Sequence, residues 1–90
     1  MEIDKIQLTI LSILLDSGAD CPGMGMTLKE IAKRFNENTD HKYSQMTINR
    51  KVWGLRDVGC ITSKLKINKA NLFYILPRGK SMKEILFNGE

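Results

Sequence analysis

Tyr43-Ser44-Gln45-Met46-Thr47-Ile48-Asn49-Arg50-Lys51-Val52-Trp53-Gly54-Leu55-Arg56-Asp57-Val58-Gly59 reads as one helix with a stop at each end. Ser44 suits the N-cap, because its hydroxyl can accept from a free amide of the first turn. Gly59 suits the position just past the end, because it tolerates the left-handed conformation that closes helices. Ile48, Val52, Leu55 and Val58 recur at spacings of four, three and three, which puts them on one face. Gln45, Thr47, Asn49 and Arg50 fall on the other side, with Lys51 at its border. Such side chains suit phosphates and base edges. Alone, the pattern also fits an ordinary amphipathic surface helix. Its neighbours decide between the two.

Upstream, Thr27-Leu28-Lys29-Glu30 is a capping box, in which the Thr27 hydroxyl and the Glu30 carboxylate each satisfy a free amide of the other. Leu28, Ile31, Ala32 and Phe35 then give one face of a short helix ending near Asn36, with Lys29, Lys33 and Arg34 outside. Residues 36–43 are polar and form a surface loop, long for a helix-turn-helix. Downstream, Cys60-Ile61-Thr62-Ser63-Lys64-Leu65-Lys66-Ile67 alternates apolar and polar residues as a strand does. Asn68–Asn71 reads as a turn, and Leu72–Leu76 as the returning strand, with Phe73 and Ile75 pointing inward and Pro77 ending the pairing. The lysines of this hairpin can touch phosphate or protect an edge against aggregation.

The remaining segments flank this core. Residues 3–17 read as a first helix with two apolar stripes, one of Ile3, Ile6, Ile10, Ile13 and Leu14, the other of Leu8, Leu11 and Leu15. So wide an apolar surface is buried on more than one side. It can pack inside the domain or against a second subunit. Gly18 closes that helix, and residues 20–26, with two glycines and a proline, read as a loop whose methionines tuck onto the core. Ser81 is a candidate cap for a last short helix carrying Met82, Ile85 and Leu86.

Composition narrows the classes. Ninety residues make a single domain, expected over 1–90. No apolar run approaches the ~20 residues of a bilayer span, and Glu2, Asp4 and Lys5 interrupt the apolar start, so a cytoplasmic protein without membrane contact is expected. Cys21, Cys60 and His41 lie too far apart in sequence for a recognisable metal site, and no cofactor is expected. No nucleophile–base pair or carboxylate dyad is visible, which argues against an enzyme. The net charge of +4 is uneven: residues 1–40 carry four Lys/Arg and seven Asp/Glu, whereas residues 41–90 carry ten and three. The positive half contains the central helix and the hairpin, as a polyanion partner requires.

Thr27–Phe35, Ser44–Ile61 and Phe73–Lys80 together resemble the second helix, recognition helix and last wing strand of bacterial winged-helix regulators of the MarR- and PadR-like grouping. The resemblance spans nearly the whole chain. It rests on the order and spacing of these segments rather than on any one motif. The chain departs from the pattern in its long inter-helix loop, in Gly54 inside the recognition helix, and in Trp53 at a usually polar position.

The expected architecture is therefore α+β and mainly helical: a winged helix-turn-helix of three helices, a two-stranded wing and a short C-terminal helix. Residues 44–58 are the expected recognition helix and residues 61–76 the wing. The expected function is sequence-specific binding of double-stranded DNA by a homodimer in transcriptional control. Gln45, Thr47, Asn49 and Arg50 are expected to read bases. Ser44, Lys51, Lys64, Lys66 and Lys69 are expected to hold phosphates. The alternative is a winged-helix module for protein interaction or plasmid or phage replication, favoured by an exposed Trp53 and the apolar first helix. The sequence leaves a small-molecule effector open; any such effector would act through the dimer interface or the glycine-methionine loop.

Overall fold

The computed structural model describes residues 3–40, 42–65 and 71–81. Its elements are α1 (Lys5–Asp16), a 3-10 turn (Pro22–Met24), α2 (Leu28–Asn38), α3 (Gln45–Asp57), β1 (Ile61–Leu65) and β2 (Asn71–Ile75). Residues 77–81 form a further helical turn.

Local chemistry sets the helix ends. The Thr27–Glu30 capping box forms as expected, with the Glu30 amide donating to Thr27 Oγ1 at 3.1 Å and the Thr27 amide to Glu30 Oε1 at 3.0 Å. α1 has a capping box of its own, Asp4 with Gln7, which holds its start two residues later than Ile3. α3 begins at Ser44, whose hydroxyl accepts from the Thr47 amide. Gly59, at φ +83°, closes it. The Gly59 amide donates to Arg56 O and the Cys60 amide to Leu55 O. That pair of bonds satisfies carbonyls the helix would otherwise leave open. Gly18, at φ +72°, does the same for α1.

Two boundaries differ from the sequence reading. α2 runs to Asn38 rather than ending near Asn36. The loop after it is clamped by the Asn36 side chain, which accepts from the Tyr43 amide and donates to the Tyr43 carbonyl. Phe35 and Tyr43 meet edge to face at 5.6 Å on the same side. The last helical turn begins at Pro77, not after Ser81. Proline's fixed φ suits a first helical position, and its missing N–H is not needed there. The Lys80 amide donates to Leu76 O to close that turn. Met82, Ile85 and Leu86, expected on the last helix, lie outside the described residues, as do His41 and the hairpin tip.

The three helices bury Ile10, Leu11, Ile13 and Leu14 of α1, Ile31, Ala32 and Phe35 of α2, and Ile48, Val52 and Leu55 of α3 in one cluster. β1 and β2 pair antiparallel, with Ile61 opposite Ile75 and Ser63 opposite Phe73, and they add Ile61, Phe73 and Ile75 to that core. Leu8 and Leu15 of the second α1 stripe stay half-buried. Among the described residues no polar or charged side chain is buried.

β2 is not the free edge of the hairpin. Met26 forms a bridge with Phe73 through two backbone hydrogen bonds, and the Ile75 amide donates to Ala19 O. The glycine-rich segment between α1 and α2 thus covers the outer side of β2. Met26 is buried there, while Met24 is exposed.

Candidate nucleic-acid interface

α3 has three working sides. Ile48, Val52 and Leu55 face the core and are fully buried. A second side, at i, i+4 and i+7 from Thr47, faces α1. There Gln7 Nε2 donates to Lys51 O at 3.2 Å, and a Cβ on Gly54 would stand 2.7 Å from that same Nε2. Gly54 therefore lets α1 approach α3 closely. Lys51 on this side forms an ion pair with Asp4. Thr47 is half-buried, and its hydroxyl is hydrogen-bonded to that of Ser44 at 3.1 Å.

The third side faces α2 and the hairpin. Gln45 Nε2 donates both to Leu28 O at 3.2 Å and to Asn49 Oδ1 at 2.6 Å. Gln45 and Asn49 thus form one linked amide pair across the N-terminal turn of the helix. Trp53 reaches β2, where its ring meets Phe73 edge to face at 5.3 Å and 84°. The Arg56 guanidinium lies 5.3 Å from the centre of the Trp53 ring.

Between these sides runs the line that points outward, Met46 and Arg50 at i and i+4, which ends where Trp53 turns to the wing. Met46 is 70% exposed and Arg50 is exposed. Among the described residues Arg50 has no acidic partner. On the hairpin, Lys64 is exposed and sits opposite Leu72, on the sheet face away from Ser63 and Phe73. Lys66 and Lys69 lie outside the described residues.

The residues named from sequence are therefore divided. Arg50 projects freely, and Gln45 with Asn49 flanks it on one side. Thr47 and Lys51 lie on the opposite flank, drawn toward Ser44 and Asp4. Sequence periodicity separated buried from exposed positions, but it could not tell which flank α1 would occupy. Met46 and Arg56 were passed over. Their signal was present in the i, i+4 spacing of Met46 to Arg50 and the i, i+3 spacing of Trp53 to Arg56.

The Asp4–Lys51 pair carries a pH signature. Partial burial opposes ionisation of Asp4, but the hydrogen bonds from the Lys51 ammonium and the Gln7 amide outweigh it, and the carboxyl titrates below its ordinary range. A depressed folded pKa gives stability that is present above the unfolded value and lost as pH falls through the folded one. Asp4→Asn should therefore flatten the dependence of Tm on pH below about pH 4 and leave its shape at neutral pH unchanged. An acid limb identical to the parent's would rule the pair out as its source. The groups are partly exposed, so the effect is small.

Cys60 is buried, and burial raises its thiol pKa against the pull of Arg78; Cys21 is exposed, and both are free thiols. Among the described residues no group of three or more His, Cys, Asp or Glu is placed to hold a metal ion. No described helix is long and apolar enough to cross a membrane.

No family model matches the chain, and no curated protein matches it in sequence. Solved structures do match in shape. MepR, a transcription regulator of the Staphylococcus aureus multidrug efflux pump MepA, superposes with a TM-score of 0.73 at 18% identity, over 92% of this chain and 54% of MepR. A protein from Ralstonia eutropha solved as a candidate DNA-binding protein superposes with a TM-score of 0.70 at 19% identity, over 96% of this chain and 99% of that one. The chain spans about half the length of MepR. The fold is the winged helix, with α2 and α3 as its helix-turn-helix and β1–β2 as its wing.

Proposed function

We propose that this protein is a sequence-specific binder of double-stranded DNA, acting in the cytoplasm as a homodimer in transcriptional control, with residues 1–90 forming one winged-helix domain. The observation that carries the reading is the outward line of α3. Arg50 stands exposed and, among the described residues, without an acidic partner, beside the linked amides of Gln45 and Asn49, on the strongly basic half of the chain. None of these three side chains is buried in the core. Arginine pairs in two-pronged fashion with guanine, and asparagine or glutamine with adenine.

In this reading α3 enters the major groove N-terminus first. Arg50, Gln45 and Asn49 read base edges, joined by Thr47 from the other flank. Ser44, Lys64, Lys66 and Lys69 hold phosphates. Lys51 joins them by leaving Asp4, an exchange that costs little because an exposed ion pair contributes at most about 1 kcal/mol. The half-buried Leu8 and Leu15 of α1 supply apolar surface for the second subunit. A homodimer would read half-sites about 34–36 Å apart. The winged-helix neighbours, one a transcription regulator and one a candidate DNA-binding protein, support this reading through the fold. The alternative, a protein-interaction or replication module, drew on an exposed Trp53. That ring rests on Phe73 and Arg56, which weakens the alternative.

The test is fluorescence anisotropy on labelled duplexes, first of random sequence and then of a site selected from it. Log affinity should fall linearly with log salt. Arg50→Ala should cost about 1–3 kcal/mol at the selected site and relax preference at one base position. Unchanged affinity and preference would remove Arg50 from the base-reading set. No salt-linked binding at all would remove the DNA reading.

A further inference from the structure

Trp53 stands at the seam between α3 and the hairpin. One edge of its environment is Phe73, fully buried and pinned by two backbone bonds to Met26. The other is the Arg56 guanidinium, 5.3 Å from the ring centre. This is within the range where a cation is drawn to the face of an indole. Trp53 is 36% exposed, so the contact is open to solvent on one side. Core packing does not account for Arg56, which is exposed and among the described residues has no acidic partner.

Among the described residues no hydrogen bond engages the Arg56 guanidinium, so this cation–π contact leaves its N–H donors free. A long side chain already held in place loses less freedom when it binds. The contact with Trp53 therefore holds a fork of donors between helix and wing. With α3 in the major groove and the hairpin beside it, the sugar–phosphate strand dividing the two grooves passes over that seam. A planar fork aimed at such a strand matches phosphate oxygens.

We infer that Arg56 is a further phosphate-binding residue and that Trp53 is its positioning residue, bracing it from β2. The inference rests on the DNA-binding reading above and adds a contact outside the set read from the sequence.

The experiment is anisotropy of the full chain with a labelled random-sequence duplex across several salt concentrations. It compares wild type with Arg56→Ala, Arg56→Lys, Trp53→Leu and the Trp53→Leu/Arg56→Ala double variant, each checked for folding by circular dichroism. Arg56→Ala should lower the slope of log affinity against log salt by about one, and weaken binding alike on all sequences. Arg56→Lys should keep the slope, because the charge remains. Trp53→Leu should weaken binding in the presence of Arg56 and do so much less in its absence, the non-additivity expected of two groups acting as one. A purely structural tryptophan would lower Tm and leave the two effects additive. An Arg56→Ala protein with wild-type affinity and slope overturns the proposal while the DNA reading stands. A wild-type protein without salt-linked binding overturns both. Where Trp53→Leu does not fold, Trp53→Met takes its place in the cycle, because it keeps bulk but removes the aromatic face, and additive effects there would overturn the positioning role.

Discussion

Phe73→Ala should destabilise the fold by about 3–5 kcal/mol, the largest loss expected from any single side chain considered. The ring is fully buried and, with Phe35, is the largest side chain in the core. Its removal opens a cavity between the sheet and α3 and takes the support from beneath Trp53. Collapse around the gap is restricted. The backbone of residue 73 is tied to Met26 on one side, and the residue sits opposite Ser63 in the hairpin on the other. Domains of this size have stabilities at the low end of about 5–15 kcal/mol, so the variant should be largely unfolded at 37 °C. Urea denaturation followed by far-ultraviolet circular dichroism is the measurement. A loss below about 1 kcal/mol, with the same m-value, would mean that the hairpin contributes little to the core.

Gly79→Ala should be nearly as damaging, for the opposite reason. A Cβ at this position would stand 2.3 Å from the carbonyl oxygen of Cys60 and 2.7 Å from Ile75 Cγ1. The first obstacle is backbone, which cannot swing aside as a side-chain end can. The turn over 77–81 must lift from the start of β1, at a cost of about 1–3 kcal/mol or more. A chemical readout separates this from general loosening. Cys60 is fully buried and Cys21 exposed, so one thiol of the wild type should react quickly with a neutral reagent. In Gly79→Ala the second should become reactive before global unfolding. Gly54→Ala is the informative control, since its added methyl meets only the end of the Gln7 side chain. The gain of about 1 kcal/mol in helix propensity then roughly offsets the lost Gln7 contact, and stability should change little. A protected Cys60 in Gly79→Ala, with unaltered stability, would refute the close approach.

What was legible in the sequence was mainly local. Thr27 with Glu30, Ser44, Gly18 and Gly59 act within a few residues, and their chemistry is readable from the letters alone. The apolar spacing of α3 and the alternation of β1 and β2 are equally local, and together they order the elements as a winged helix. The misreadings involve longer range or double meanings. Asp4 with Gln7 is a capping box without the serine or threonine that usually marks one. Pro77 stops a strand and starts a helix, and only the first use was read. A bridge of a single residue, Met26 on Phe73, leaves no periodic trace. For the candidate interface, the polar side of α3 was correctly separated from its buried side. Its division into a flank held by α1, a flank joined to the wing, and an outward line between them depends on tertiary packing. That is why the sequence placed Lys51 among the phosphate contacts without its Asp4 partner and overlooked Arg56.

The backbone bonds from Ala19 and Met26 to β2 also bear on how the molecule opens and closes. Each joins residues separated by more than half the chain, and such closures form late because their entropy must be met by contacts already made. The amides of Met26, Phe73 and Ile75 donate across these closures, so their exchange with solvent reads directly whether this strap opens by itself or with the whole fold. Slow exchange there, matching that of the core helices, would make the helix-turn-helix and the wing one cooperative unit in time as well as in space.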